Sequence, residues 1–225
     1  MDKTAIRAAA TIIVLRDTGT APAVLMGQRG VKAAFLPGKF VFPGGAVDPN
    51  DAHVPVSAMS TLATPRLSAD SMLSPGALAA AAIRELWEET GLVLGQPGDW
   101  SDPPQGWRGF ARQGVVPNAA ALTFFFRAVT PKGRPRRFDA RFFLADAADL
   151  TTDPDDFSRA EDELSHLQWV PLDDARRFDL PFITKVVLSE LLVHIKRGGP
   201  PVSVPVFRND DEAHLITRLG TRPVL

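Results

Sequence analysis

The 225-residue sequence contains no cysteine, and this absence removes several kinds of chemistry at once. Disulfide bonds, thiolate metal sites and cysteine nucleophiles are all excluded, and the composition is compatible with a reducing compartment. The four histidines are scattered, without a pair at helical spacing. A Ser-His-Asp arrangement therefore cannot be argued from the sequence.

Long apolar runs and an excess of charge of one sign are also lacking. The sequence has no run of the roughly 18 apolar residues that a membrane-spanning helix needs, and the short run from Ala8 to Leu15 lacks the cleavage pattern of a secretory signal. The net charge is -1, from 25 basic and 26 acidic residues. This balance gives no global electrostatic reason to expect a nucleic-acid polymer or a membrane as partner. We expect a cytoplasmic protein that acts on a small molecule.

Hydrophobic residues make up 45% of the chain, which at this length is enough to bury a full core. We therefore expect residues 1–225 to form one domain. Two segments without a clear period are interpreted as insertions: residues 52–74, with one short helical turn, and residues 95–118, with a short helix near Trp107. Trp100 and Trp107 either pack the second segment onto the core or stack a base, and packing is slightly favoured.

The remaining chain alternates between strand and helix patterns. Helices are predicted over residues 75–90, 173–177 and 181–196. Strands are predicted over residues 6–16, 23–29, 39–42, 122–129, 136–144 and 163–170, followed by a hairpin of 203–207 with 213–217. In the strand 136–144 the charged residues Arg137, Asp139 and Arg141 alternate with apolar ones. This pattern predicts a half-buried strand with an exposed charged face.

The helix over residues 75–90 has the clearest local signals. Ser74 is a suitable N-cap, Pro75 fits the first helical position, and Gly91 is a typical C-terminal stop. Its period predicts one inward stripe and places the acidic residues on another face. The predicted inward stripe comprises Ile83, Leu86, Trp87 and Thr90.

Three carboxylates are predicted to share one face of this helix, because Glu85, Glu88 and Glu89 are spaced i, i+3 and i+4. Like charges packed this closely repel one another unless a cation joins them. The spacing therefore indicates a site for a hard divalent metal such as Mg²⁺. Acids at this spacing are commonly a solvated helix face, but Arg84, Gly91 and the glycines at 44 and 45 favour a functional site.

The residues around this helix resemble the signature of the Nudix hydrolases. The run from Arg84 to Gly91 is similar to R-E-x-x-E-E-x-G, and Gly45 and Asp51 correspond to the upstream glycine and spaced acid. The resemblance covers roughly residues 6–197. It implies an α+β fold, an α/β/α sandwich in which a mixed β-sheet lies between helices. It also implies an enzyme that cleaves a nucleoside diphosphate linked to another group by attack of water on phosphorus.

The same resemblance implies the roles of individual residues. Glu85, Glu88 and Glu89 are the expected ligands of Mg²⁺ or Mn²⁺, and the backbone carbonyl of Gly45 is a fourth. Arg84 is expected to orient an acid through a charge-assisted hydrogen bond. The general base is left open between Glu85 and Glu163, since members of the family use an acid at either place.

Basic side chains are the predicted contacts to the phosphates of the substrate. Arg29 is one candidate. A basic group between residues 132 and 141 supplies others, of which Arg137 and Arg141 are favoured over Lys132, Arg134 and Arg136. The alternative for this group is a charged hairpin tip that faces water.

Segments ahead of the signature resemble the coenzyme A diphosphatase branch of the family, namely Gln28-Arg29, Phe35-Leu36-Pro37-Gly38 and Phe42-Pro43-Gly44-Gly45. This likeness implies coenzyme A or acyl-coenzyme A as substrate. ADP-ribose or a dinucleotide remains the alternative substrate, and a Nudix-fold ligand sensor without catalysis is the alternative class. A homodimer is common among relatives.

The sequence departs from the signature between Asp51 and Arg84. The spaced acid is an aspartate where the signature has glutamate, and 32 residues, Ala52 to Ile83, stand where the signature has seven. The simplest account is a loop extended outward with both of its ends in place.

Overall fold

The computed structural model describes residues 5–61 and 63–208 in full and residues 209–210 and 213–219 by their backbone. The strands are β1 (Ile6–Arg16), β2 (Ala23–Arg29), β3 (Phe40–Val41), β4 (Gly44–Ala46), β5 (Gly95–Pro97), β6 (Val115–Pro117), β7 (Thr123–Val129), β8 (Arg137–Asp146), β9 (Leu164–Pro171), β10 (Val204–Asp210) and β11 (Ala213–Leu219). The α-helices are α1 (Ala63–Ser68), α2 (Pro75–Thr90), α3 (Arg108–Ala111) and α4 (Phe182–Arg197). Short 3-10 turns cover Pro49–His53, Gln105–Trp107, Ala119–Ala121, Ala147–Asp149 and Ala175–Arg177.

The long strand β1 is the centre of a mixed nine-stranded sheet. It runs parallel to β8 along most of its length and antiparallel to β2 and β4. The main path of the sheet is β11-β10-β7-β8-β1-β2-β3, with β4 added on β1 and β9 on β2. Because β4 pairs with the first half of β1 and β2 with its last residues, the chain from 42 to 46 is held at the middle of the sheet.

The alternation of side chains along β1 divides the core into two layers. Ile12 and Val14 pack into the layer that contains α2, whereas Ile13 and Leu15 pack into the layer that contains α4. The sheet therefore lies between helices on both faces. This arrangement confirms the expected α+β fold with a mixed sheet between helices.

The predicted strand over 136–144 exists, but its exposed charged face is wrong. Arg141 is 2% exposed and forms an ion pair with Asp139 at 2.9 Å. Arg127 on β7 is also buried and contacts the same carboxylate at 2.7 Å. The segment that carries α1 covers this face, because Arg127, which pairs with Asp139, also donates to the backbone oxygens of Ala69 and Asp70. A charged residue on an alternating strand stays buried here because it has a partner of opposite charge.

Residues 52–74 form a packed segment on the α2 side of the sheet. Val54, Ala63 and Leu67 are buried in the α2 layer of the core. Arg127 fixes the segment to β7, since its guanidinium donates to the backbone oxygens of Ala69 (2.8 Å) and Asp70 (3.1 Å). A short helical turn was predicted around residues 67–72, and the observed helix α1 begins four residues earlier, at Ala63.

Residues 95–118 contain more regular structure than predicted, because β5 and β6 pair as a short two-stranded ribbon. The predicted short helix is α3. Trp107 is 1% exposed and packs edge-on against Phe110, with ring centroids 5.3 Å apart. Trp100 lies against Trp107 at 5.6 Å. The packing role of these two tryptophans, rather than stacking on a base, is therefore the one observed.

The predicted C-terminal hairpin is present at the level of the backbone, as β10 pairs antiparallel with β11. β10 also runs parallel to β7 and so joins the hairpin to the main sheet. Among the described residues, every helix is too short or too polar to cross a membrane.

Candidate active site

Local capping fixes the position and the register of α2. The Ser74 hydroxyl accepts a hydrogen bond from the Ala77 amide at 3.1 Å, Pro75 opens the helix, and Gly91 ends it with φ of 74°. These are the predicted bounds, and the structure confirms them. Because both ends are fixed, the rotation of the helix is fixed as well. Glu85 and Glu89 face β4, and Glu88 lies beside Arg84 and is partly exposed.

The acidic face of α2 is buried rather than exposed. Glu85 and Glu89 are 8% and 2% exposed, comparable to many apolar residues of the helix. The expectation that the acids lie apart from the buried stripe is therefore wrong for these two. The reason is β4, which crosses this face of the helix and covers it with backbone.

Gly44 and Gly45 are required by the close approach of β4 to the acids. The amide of Gly44 donates a hydrogen bond to Glu89 Oε2 at 2.8 Å. A Cβ atom on Gly45 would lie only 2.5 Å from Glu85 Oε1. A Cβ atom on Gly44 would likewise meet the backbone of β1 at 2.7 Å. The two glycines therefore let the main chain lie directly on two carboxylates.

Arg84 connects the other acids of the site. Its Nη1 donates to Glu85 Oε1 at 2.9 Å and to Glu88 Oε2 at 2.7 Å. Its Nη2 donates to the backbone oxygen of Ala46 at 2.9 Å, and its Nε to Asp51 Oδ1 at 3.0 Å. The guanidinium thus joins Glu85 and Glu88 of α2 to the end of β4 and to Asp51.

Asp51 is a buried anchor for Arg84, and the sequence did not reveal this role. Its carboxylate is fully buried and accepts from Arg84 Nε and Nη2, from Trp107 Nε1 at 3.3 Å and from the Asp48 amide at 2.8 Å. The 3-10 turn Pro49–His53 presents it to the helix. The two ends of the long segment between Asp51 and Arg84 are therefore in contact. The signal for it was the six-residue spacing from Gly45.

The carboxylates do not form a ready-made metal cage, since within the described ranges no three acidic or histidine side chains converge on one point. Glu85 and Glu88 each give one oxygen to Arg84 instead. One oxygen nevertheless lacks a donor: Glu89 Oε1 is buried and has no hydrogen-bond partner among the residues that the structure describes. A buried carboxylate oxygen without a donor is costly unless a proton or a cation satisfies it. The donor set of carboxylates beside a carbonyl-rich backbone is suited to Mg²⁺ or Mn²⁺.

Burial perturbs the protonation of the acids. It raises the pKa of Glu85 from its ordinary 4.5 to about 7, although the charge of Arg84 opposes the change. Burial and the nearby charge of Glu85 raise the pKa of Glu89 well above its ordinary range. The pKa of Glu88 is also raised, chiefly by burial. The pKa of Arg84 is raised by its hydrogen bond to Asp51 and by the surrounding acids, which outweigh its burial, so the guanidinium stays charged.

A cavity of about 490 Å³ opens on the α4 side of the sheet and reaches Gly44 and Gly45. This volume is within the range of small-molecule sites. Alternate residues of β1 and β8 form its floor, and the start of α4 forms one wall. Much of its surface is aromatic, contributed by Phe35, Phe42, Phe138, Phe142, Phe182 and Phe207.

Two of the predicted functional side chains meet at this cavity. Arg29 and Glu163 both line it, and Arg29 Nη2 lies 3.0 Å from Glu163 Oε1. The strand β2 carries Arg29, and Glu163 directly precedes its partner strand β9. The Nε atom of Arg29 is buried without a partner in the described part of the chain.

The other two predicted phosphate contacts are not brought to the cavity. Arg141 is committed to Asp139 inside the sheet, and Arg137 donates from Nε to the backbone oxygens of Thr130 and Pro131. Neither is part of the described cavity wall. Alternation along β8 explains the difference, because 136, 138, 140 and 142 face the cavity. The cations of this region that line the cavity are Arg134 and Arg136, which were the less favoured candidates from the sequence. Arg7 of β1 also lines the cavity and was not predicted.

Comparison with known proteins agrees with this geometry. Residues 72–191 match the NUDIX domain family. The match includes α2 with all of its acids and extends over more than half of the chain. The chain belongs to the Nudix family.

Individual relatives support the same assignment. A Caenorhabditis elegans protein named as a nudix hydrolase, number 7, is 29% identical over 177 residues, which are 73% of this chain and 51% of that protein. The chain thus spans about half the length of this curated relative. The crystal structure of a Nudix hydrolase from Alicyclobacillus acidocaldarius superposes with a TM-score of 0.63 at 28% identity, covering 85% of this chain and 93% of the other.

Proposed function

We propose that this protein is a metal-dependent Nudix diphosphatase, which uses Mg²⁺ or Mn²⁺ to cleave the diphosphate linkage of a nucleoside diphosphate derivative. The observation that carries this proposal is the burial of Glu85 and Glu89 against the backbone of Gly44 and Gly45, two glycines that also line a cavity of about 490 Å³. Members of the family generally use divalent metal ions.

Glu85, Glu88 and Glu89 are the proposed metal ligands, together with the carbonyl of Gly45. The orphaned oxygen of Glu89 supports this choice, and so does the approach of Gly45 to the Glu85 carboxylate. A divalent ion held by these residues would neutralise charge on the phosphate oxygens and would lower the pKa of a nearby water. Arg84 positions Glu85 and Glu88, so that the ligands are ordered before substrate binds.

Glu163 is the favoured general base. It lines the cavity and its side chain is 55% exposed, so water reaches it. Glu85, the alternative, has one oxygen bonded to Arg84 and is 10% exposed. Arg29 beside Glu163 keeps a second charge near the phosphates and is the proposed substrate contact. A base in this position typically contributes about 10² to 10⁴ in rate.

Coenzyme A or acyl-coenzyme A is the proposed substrate, with ADP-ribose or a dinucleotide as the alternative. The aromatic wall of the cavity suits a large apolar or heteroaromatic group attached to the diphosphate. The likeness of residues 28–45 to the coenzyme A diphosphatase segment supports the first choice. Products from coenzyme A would be 3′,5′-ADP and 4′-phosphopantetheine.

A substrate panel tests this proposal. The protein with Mg²⁺ or Mn²⁺ is given coenzyme A, acetyl-coenzyme A, ADP-ribose and a diadenosine polyphosphate, and products are resolved by chromatography. Turnover of ADP-ribose alone would remove the coenzyme A assignment. Absence of turnover with every member of the panel would favour a ligand-binding protein.

Two glutamine substitutions provide a matched pair for the metal site. Glu88→Gln should abolish most activity and weaken Mn²⁺ binding while the protein stays folded, since it removes one ligand charge. Glu190→Gln changes the same side chain on α4, outside the cavity and the acid cluster, and should leave both properties unchanged. Wild-type activity of the Glu88 variant would exclude the proposed ligand role.

A further inference from the structure

Three arginines line the cavity without any acidic partner. Arg7, Arg134 and Arg136 all contribute to its wall, and in the described ranges of the chain none of them forms an ion pair. The acid in this wall, Glu163, is taken by Arg29. The cavity therefore has an excess of positive charge in a protein whose net charge is -1.

The strand register separates these arginines from the acid cluster. Gly45 pairs with Ala10 of β1, whereas Arg7 pairs with Phe138 of β8. Three residues along a strand correspond to about 10 Å. Arg136 is two residues from Phe138 and so shares its face of β8. Gly45, which lies against the Glu85 carboxylate, is part of the cavity wall, and Arg7 lines the same cavity about 10 Å away along β1.

The surface between the two charged ends is apolar and aromatic. Phe138 lies on the floor between Arg136 and Ala140, and its ring is 5.1 Å from that of Phe35 in a tilted arrangement. An aromatic pair of this kind suits a planar heterocycle or a sugar face better than a charged group. A ligand that uses the whole cavity would thus be anionic at both ends and uncharged between them.

We propose that Arg7, Arg134 and Arg136 form a second anion subsite, which binds a phosphate group that the substrate carries on its nucleoside in addition to the diphosphate. This inference rests on the proposed function and narrows its substrate class to nucleoside diphosphate derivatives with a further phosphate monoester. Arginine is suited to this role because its planar fork donates two parallel hydrogen bonds to phosphate oxygens.

Binding of two product-like nucleotides tests the subsite without any need for turnover. Isothermal titration calorimetry with 3′,5′-ADP and 5′-AMP compares ligands that differ by one phosphate. The protein should bind 3′,5′-ADP about 10- to 100-fold more tightly, the range expected for charge-assisted bonds to one added phosphate. The Arg134→Ala/Arg136→Ala double variant should lose most of this preference and leave the affinity for 5′-AMP nearly unchanged, and Arg7→Ala should reduce it in part.

Lys132→Ala is the matched control, because Lys132 is a cation of the same β7–β8 connection that is not part of the described cavity wall. It should retain the preference for 3′,5′-ADP. An equal affinity of the wild-type protein for both nucleotides would overturn the subsite, and so would an equal loss of preference in the Lys132 variant, which would indicate a diffuse charge effect.

Hydrolysis of coenzyme A and of 3′-dephospho-coenzyme A, together with the binding data, separates this inference from the proposed function. If coenzyme A is hydrolysed but 3′-dephospho-coenzyme A is hydrolysed equally well, the diphosphatase proposal stands and the subsite fails. If neither is hydrolysed while 3′,5′-ADP still binds preferentially through the arginines, the subsite stands and the coenzyme A diphosphatase assignment fails.

Discussion

Replacement of Asp51 by asparagine should destabilise the protein more than most changes of a single charge. Asp51 accepts four hydrogen bonds, two from Arg84 and one each from Trp107 and Asp48. In the variant the NH₂ group of asparagine would face N–H donors that now bind a carboxylate oxygen. Arg84, whose side chain is 10% exposed, keeps its charge but loses its fully buried partner. Removing one partner from a buried ion pair costs about 3 to 5 kcal/mol.

Urea unfolding at neutral pH measures this effect, with the free energy of unfolding taken from linear extrapolation. Asp155→Asn is a matched control, since Asp155 also pairs with an arginine, Arg16, at 2.8 Å but is 63% exposed. An exposed pair of this kind contributes at most about 1 kcal/mol. The two variants have the same chemistry and differ in burial.

A loss below about 1 kcal/mol for Asp51→Asn, equal to that of the control, would refute the anchoring role. If the Asp51 variant does not fold, Trp107→Phe gives a milder test, because it removes a single hydrogen bond at 3.3 Å and keeps an aromatic ring. We expect that change to cost about 0.5 to 1.5 kcal/mol. A Trp107 variant as stable as the wild-type protein would then argue against the anchor.

Two further predictions concern the acids beside β4. Gly45→Ala should reduce metal-dependent activity by about 100-fold with little change in circular dichroism. The reason is that the added Cβ would meet the Glu85 carboxylate and displace this proposed metal ligand by about 1 Å. Full activity of this variant would contradict the close packing. Burial raises the pKa of Glu85 in the folded state from 4.5 to about 7, so the metal-free native state binds this proton more tightly than the unfolded chain does. The free energy of unfolding of the metal-free protein should therefore fall as pH rises from 4.5 to 7, by up to about 3 kcal/mol for this group. Glu85→Gln should flatten this pH dependence. Thermal melts of the variant with an unchanged pH dependence would refute the raised pKa of Glu85.

Capping and alternation explain why much of the secondary structure was predicted. The bounds of α2 depend on Ser74, Pro75 and Gly91, whose effects act within one helical turn. The strands β1 and β2 were also predicted with their observed bounds, because apolar periodicity is a local property. By contrast, the three-residue strands β5 and β6 were missed, since so short a segment has no detectable period.

The candidate site was predicted in its residue types but only in part in its geometry. Glu85, Glu88 and Glu89 were identified from spacing and resemblance, yet the burial of Glu85 and Glu89 depends on β4, which lies some 40 residues away in the chain. Among the basic residues of this region, Arg137 and Arg141 were the preferred phosphate contacts, ahead of Arg136. Which face of β8 opens to the cavity is set by β1 and α4, and no signal within β8 contains that information.

The sequence by itself determined the extent of α2, the presence of an acid cluster on it, and the Nudix resemblance, because each depends on residues within a few positions of one another. Only the tertiary structure decided that Asp51 anchors Arg84, that Glu163 and Arg29 meet at the cavity, and that Arg7 joins Arg134 and Arg136. Asp51 and Arg84 are 33 residues apart in the chain, and Arg29 and Glu163 are 134 residues apart. The pairing of β2 with β9, the pairing of β1 with β8 and the contact of the 3-10 turn Pro49–His53 with α2 create these contacts. Contacts over such separations are specified by the packing of the whole fold.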